Sequence, residues 1–146
     1  MKKVFLDTNV IIDLILGREG AGYAKQILQF GMESQIRNCT SVLSFANIAY
    51  VLRKYLTHKE TLDTLKTLFD SVSILSMGDQ QVYRAIKLDG PDFEDSLQVA
   101  CASAAGCDLI ITNDRKHFKD IPLPVFTSEE FVKATTSDGS SETRDS

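Results

Sequence analysis

One run near the start of the chain limits the fold more than any other: Val4-Phe5-Leu6-Asp7-Thr8-Asn9-Val10-Ile11-Ile12. An apolar stretch ends abruptly in an acid, a hydroxyl and an amide, then turns apolar again with a different rhythm. The first part reads as a buried strand of about Lys3–Leu6. Val10, Ile11 and Leu14 recur as the inner face of a helix follows. Ligands of open α/β sheets bind just beyond the carboxyl ends of the strands, and Asp7 stands at such an end. The competing role for Asp7 or Asn9 is simple helix capping, which Asp, Thr and Asn all favour.

The rest of the chain alternates in the same way. The first helix stops at Gly17, and a second, with Ala24, Ile27, Leu28 and Met32 inward, follows Gly20-Ala21-Gly22. Ile36–Thr40 is a short strand. Ser41 caps a third helix in which Phe45, Ala49, Leu52 and Leu56 recur, with Asn47 in its middle. Lys59–Phe69 is a helix expected to bury Leu62, Leu65, Leu68 and Phe69. Val72–Leu75 is a strand, and Asp79–Leu88 a helix expected to bury Val82, Ala85 and Ile86. After Gly90-Pro91, Asp92 opens a helix to about Ala105, with Leu97, Ala100, Cys101 and Ala104 as its stripe. Asp108–Ile111 is a strongly apolar strand ending in Thr112-Asn113-Asp114. Pro122–Phe126 allows one more strand, and a last helix begins at Ser128. This alternation predicts an α/β/α sandwich, three layers around a mainly parallel central sheet. The expected domain is residues 1–134, and the Ser/Thr/Asp/Gly-rich stretch 135–146 reads as a disordered tail.

Length decides domain number: 146 residues make one domain that folds without disulfide or structural metal. No stretch is apolar for long enough to span a membrane, and the early apolar run is too interrupted for a signal peptide. Cys39, Cys101 and Cys107 have no metal-ligand spacing and read as reduced thiols, which places the protein in the cytoplasm. A net charge of −4 argues against a broad basic surface for nucleic acid. It is compatible with a nuclease, because clustered carboxylates at a metal site contribute acidity of their own.

The acids form a pattern. Asp7 and Asp114 each follow a short apolar strand, and the two carboxylates meet if those strands are neighbours. Asp92, Glu94 and Asp95 open the helix that leads into the second strand, with Asp92 and Asp95 on one face of its first turn. Each acid alone is explained by capping or by the helix dipole; the set is not. Two carboxylates about 4 Å apart repel by roughly 4 kcal/mol at an effective dielectric of 20, which a fold tolerates with a cation between them or a proton on one. Oxygen-only ligands suit Mg²⁺ or Mn²⁺. No His or Cys cluster suits zinc, and His58 and His117 read as isolated surface residues. Carboxylates bridged by a cation are the apparatus of metal-assisted phosphodiester hydrolysis.

Taken together and in order, Val4-Phe5-Leu6-Asp7-Thr8-Asn9-Val10, Asp92-Phe93-Glu94-Asp95 and Ile110-Ile111-Thr112-Asn113-Asp114 resemble the PIN domain family, in particular the small bacterial VapC-type members. The resemblance covers about residues 3–133. It implies a Mg²⁺- or Mn²⁺-dependent endoribonuclease in which Asp7, Asp95 and Asp114 are the catalytic, metal-binding acids and Asp92 an accessory ligand. Thr8, Asn9 and Thr112 would support them by hydrogen bonds, with Asn47, Glu94 and Asn113 beside them. It also implies an RNA substrate, an antitoxin protein partner, the toxin role in a toxin-antitoxin pair, and a homodimer. One position departs from the family pattern. Ser41-Val42-Leu43-Ser44-Phe45-Ala46-Asn47 carries an amide where the family usually has Glu; an amide can ligate a metal but adds no charge and cannot act as a base. Glu94, beside the second motif, is one compensation; a metal held by fewer acids and more water is another.

Two other functions fit parts of this pattern. A catalytically weak or inactive PIN-like module binding RNA or a protein is favoured by Asn47 and by the acidic balance. An aspartyl-phosphate phosphatase is suggested by an Asp after the first strand, but that chemistry wants a second acid two residues on, where Asn9 stands.

Overall fold

The computed structural model describes residues 1–118 and 120–145, the last eight of these by backbone alone. Five strands alternate with helices: β1 (Lys2–Leu6), α1 (Thr8–Leu16), α2 (Ala21–Met32), β2 (Ile36–Ser41), α3 (Val42–Leu52), α4 (His58–Ser71), β3 (Ser73–Leu75), α5 (Asp79–Leu88), α6 (Phe93–Ala104), β4 (Leu109–Ile111), a 3₁₀ turn (Arg115–Phe118), β5 (Val125–Phe126) and α7 (Ser128–Asp145). All ladders are parallel and the strand order is β3-β2-β1-β4-β5. The chain therefore builds outward from β1 in one direction through β2 and β3. It then crosses back to the other side for β4 and β5. The gap between the ends of β1 and β4 is a topological switch point, where parallel sheets bind ligands.

Alternation along β1 divides the core. Val4 and Leu6 face one side, where Val10, Ile11, Ile27, Ile48, Leu52, Phe131 and Val132 pack from α1, α2, α3 and α7. Phe5 faces the other, against Cys39, Val99, Ala102, Ile110 and Phe118. A strand buried on both faces must be apolar throughout, which is why Val4-Phe5-Leu6 and Leu109-Ile110-Ile111 carry no polar residue. The expected three-layer α/β/α sandwich is thus the observed one, with a sheet that is parallel throughout.

Local chemistry fixes the ends. Gly17 closes α1 at φ 66° in the left-handed conformation that glycine adopts without steric cost. Thr57 and Glu60 form a reciprocal capping box at the start of α4. A side chain at Gly31 would meet Asn38 Nδ2 at 2.5 Å, and that amide donates to Ile27 O at 3.0 Å, pinning α2 onto β2.

Several burial expectations are corrected. Leu62 and Phe69 on α4, Val82 and Ile86 on α5, and Met32 on α2 are exposed; only Leu68 of α4 and Ala85 of α5 are fully buried among the apolar residues of those two helices. Ala104 also faces solvent. Their helical spacing is real, but α4 and α5 lie on the outside of the sandwich, and among the described residues nothing covers the faces that carry these side chains. The backbone of α7 is helical through Asp145, beyond the Ala134 boundary drawn from composition. Among the described side chains past Phe131 and Val132 none is a buried apolar residue, so apolar content gave no sign of this extension; the side chains of 138–145 and all of Ser146 lie outside the described residues. Among the described residues, no helix is long and apolar enough to cross a membrane.

Candidate active site

β1 and β4 are direct neighbours, with Leu6 opposite Ile111, so the residues that follow them meet at the switch point. Asp7 is 6% exposed. Its Oδ1 accepts from the Thr8 N–H at 2.9 Å and its Oδ2 from the Thr112 hydroxyl at 2.9 Å. Asp7 therefore does cap α1, and the capping geometry is also what aims its carboxylate at the crevice. The Thr112 oxygen in turn accepts from Asn9 Nδ2 at 3.3 Å and from the Asp114 N–H at 3.1 Å. One hydroxyl thus locks together the segments after both strands. Asn9 Oδ1 accepts the Asn113 N–H at 3.2 Å. The Asn113 side chain turns away from the acids, donating to Asp13 Oδ2 at 2.8 Å and accepting from the Ser128 hydroxyl at 3.1 Å.

The third contribution comes from α6. Asp92 caps it, accepting from the Asp95 N–H at 3.0 Å, which holds Asp95 over the crevice. Asn47 reaches across from α3 and donates to Glu94 Oε1 at 2.7 Å. These acids feel one another. Burial pushes the Asp7 carboxyl up to about 6, against the pull of Thr112 and the Thr8 N–H, and Glu94 and Asp114 push it in the same direction as burial. Burial raises Asp95 to about 7, aided by the negative charges of Asp7 and Asp92. Carboxylates held at such values by desolvation and by one another mark a functional cleft more often than a structural cap.

All ten sequence-predicted site residues lie around this crevice, although Asn113 braces the rim rather than facing the acids. Two features were not foreseen. His117, expected to stand alone on the surface, lies with Nδ1 2.8 Å from Asp114 Oδ2 and 3.4 Å from Asp95 Oδ2. The 3₁₀ turn folds it back three residues onto Asp114, a tight local geometry that periodicity does not reveal. The second is a buried polar group beneath the acids. Gln98, 1% exposed, donates to Ser44 Oγ at 2.8 Å and to Thr8 Oγ1 at 3.4 Å, and accepts from the Ser41 hydroxyl. It ties α6 to α3 and α1 directly under the site. Replacing Gln98 with Leu would leave these hydroxyls without their partner, so we expect Gln98→Leu to lower stability by about 1–3 kcal/mol in urea unfolding. An unchanged midpoint would remove the network from the account.

The donor set suits a hard divalent cation: its acids offer oxygens, and Asp7 and Asp95 are raised first by burial and then by neighbouring negative charge, which a cation would offset. Among the described residues no three His, Cys, Asp or Glu side chains are already gathered as a cation cage; His117 holds Asp95 and Asp114 instead.

A doubly covered parallel sheet with an acid-lined crevice at its switch point is the class of domain this geometry defines. The chain belongs to the PIN domain family, whose sequence model matches residues 3–116. It is 33% identical to Ribonuclease VapC1 of Aquifex aeolicus (strain VF5) over 138 residues, which cover 90% of this chain and 94% of that protein. Its fold is also similar to a chain of a toxin-antitoxin complex from Klebsiella pneumoniae, with TM-score 0.67 and 23% identity over 86% of this chain and 97% of the other. VapBC-1 from nontypeable Haemophilus influenzae gives TM-score 0.69 and 19% identity over 87% and 98%.

Proposed function

We propose that the chain is a metal-dependent endoribonuclease that hydrolyses RNA phosphodiester bonds and serves as the toxin of a toxin-antitoxin pair. The observation that carries this reading is the convergence of Asp7, Asp95 and Asp114 at the switch point, with two of the three carboxyls displaced toward neutrality. The kinship with Ribonuclease VapC1 supports it. Asp7, Asp95 and Asp114 would hold Mg²⁺ or Mn²⁺, with Asp92 an accessory ligand. When bound, the cation supplies Lewis acidity at the scissile phosphate. Thr112 and the Thr8 N–H fix the direction of Asp7, and Asn9 fixes Thr112. Glu94, whose Oε1 accepts from the Asn47 amide, would take a proton from the attacking water at a carboxylate oxygen, the part that an acid at position 47 would have played.

The antitoxin partner is supported by the toxin-antitoxin assemblies among the structural relatives and by the uncovered apolar side chains Leu62, Phe69, Val82, Tyr83 and Ile86. They lie on two different helices, Leu62 and Phe69 on α4 and Val82, Tyr83 and Ile86 on α5, and an antitoxin or a second copy of the chain would cover one of these faces. Reduced, buried Cys39, Cys101 and Cys107 suit the cytoplasm.

Cleavage of mixed-sequence RNA with Mn²⁺, Mg²⁺ or EDTA tests the proposal directly. The second reading, a binding module without catalysis, is favoured by Asn47, and a metal titration separates the two. Asn47→Glu adds a carboxylate beside Glu94, so we expect it to tighten Mn²⁺ binding about tenfold in calorimetric titration and to destabilise the metal-free protein. Unchanged affinity would take position 47 out of the metal site.

A further inference from the structure

Next to the acids, on the far side of Asp95 and His117, lies a cavity of about 240 Å³ that the hydrolytic chemistry does not use. Leu88, Val99 and Ile121 make its apolar part, and Ser96, Asp89 and Asp120 its polar part. Asp95 and His117 form the wall it shares with the candidate active site. Ser96 is 7% exposed, and its hydroxyl has no hydrogen-bond partner among the described residues. A side chain at Gly90 would come within 2.6 Å of that hydroxyl, so glycine keeps this wall open. Asp89 ends α5 as its left-handed cap, at φ 48°, and Asp120 is also left-handed, at φ 58°, so the backbone fixes where both carboxylates start.

The lining selects its occupant. Acceptors dominate: three carboxylates and a hydroxyl, with His117 the lone basic group among the described lining residues. A phosphate is therefore repelled, whereas a planar group with adjacent N–H donors is favoured. The volume lies below the roughly 300–1,000 Å³ typical of pockets for drug-sized ligands, a size for one base rather than two. His117 offers an aromatic ring for stacking, and the aliphatic side chains offer an apolar floor. Of the four RNA bases, guanine alone presents neighbouring N1–H and N2–H donors that one carboxylate can accept together.

We propose that this cavity is a base subsite that receives an unstacked guanine of the RNA next to the scissile phosphate. The assignment deepens the ribonuclease reading and rests on it for the position of the phosphate. Unstacked bases held by stacking and by hydrogen bonds to their pairing edge are the usual basis of sequence-specific recognition of single-stranded RNA. Each bidentate contact to a base is worth enough to discriminate about tenfold or more against the wrong base.

The test uses free nucleosides as probes, so that binding is read apart from cleavage. Guanosine, adenosine, cytidine and uridine are titrated at millimolar concentration into the full chain, and backbone amide shifts are followed by NMR. The expected result is guanosine-specific shifts at Asp89, Gly90, Ser96 and Val99, at least about tenfold stronger in affinity than for the other three. The double variant Asp89→Asn/Asp120→Asn should weaken guanosine binding about tenfold, because Asn keeps the left-handed backbone and loses the two-oxygen acceptor. Ser96→Val should weaken it independently. Shifts absent at these amides, or equal for all four nucleosides, would overturn the assignment even if RNA is cleaved. Guanosine binding by a protein that cleaves no RNA would uphold the subsite and remove the ribonuclease reading instead.

Discussion

Asp7→Asn is expected to reduce metal-dependent RNA cleavage by more than about 100-fold while leaving the fold intact. The substitution conserves shape, and an amide oxygen still accepts one of the two hydrogen bonds now made by the Thr8 N–H and Thr112. What disappears is the negative charge at the centre of the cluster. A cation at a scissile phosphate supplies several kcal/mol of charge stabilisation, and each 1.36 kcal/mol is a factor of ten in rate. Asp95→Asn should behave alike, since the same field acts on it. The measurement is cleavage of mixed-sequence RNA by wild type and both variants purified in parallel, each with Mn²⁺ and with EDTA. Activity that persists undiminished in Asp7→Asn would place the chemistry elsewhere or in a contaminating nuclease. No activity in wild type, with no metal binding, would favour the inactive module.

The second large effect concerns stability. Asp7 ionises near 3.8 in the unfolded chain and near 6 in the folded one, burial being the first cause. Between those values the folded protein keeps a proton that the unfolded chain releases. The contribution of Asp7 to stability is therefore fully present below about pH 4 and lost as pH rises through 6, by about 3 kcal/mol at most. Asp95, raised to about 7, acts with the same sign. Urea unfolding in EDTA at pH 5 and pH 8 should show Asp7→Asn gaining on wild type as pH rises, to become the more stable protein at pH 8. Saturating Mn²⁺ should restore wild type and do little for the variant, because a ligand present at 100 times its dissociation constant adds about 2.7 kcal/mol. If wild type and variant keep a constant difference across this range, Asp7 is a cap and nothing more.

The layers, the strands and the meeting of Asp7 with Asp114 were legible because short apolar runs closed by polar residues have few other interpretations in an alternating α/β chain. The acids could be grouped because each follows a strand or opens a helix, positions that topology brings to one edge. His117 was not legible: its place depends on a 3₁₀ turn and on contact with α6 across the crevice. Gln98 was not legible either, since an isolated polar residue on an apolar helix gives no sign of three hydroxyl neighbours from two other helices and a strand end. Leu62, Phe69, Val82 and Ile86 show the opposite failure. Periodicity reports that a face is apolar, not that this chain covers it.

β1 lies between β2 and β4, and its second neighbour arrives more than a hundred residues after it. Asp7 is synthesised before Asn47 and the α6 acids, and Thr112 and Asp114 are synthesised after them. An incomplete nascent chain therefore has no cutting edge: the carboxylate that emerges first has no hydroxyl to aim it and no opposing acid until β4 docks. For a protein proposed to cut RNA, the order of synthesis is itself a safety catch, set by strand order and independent of any partner.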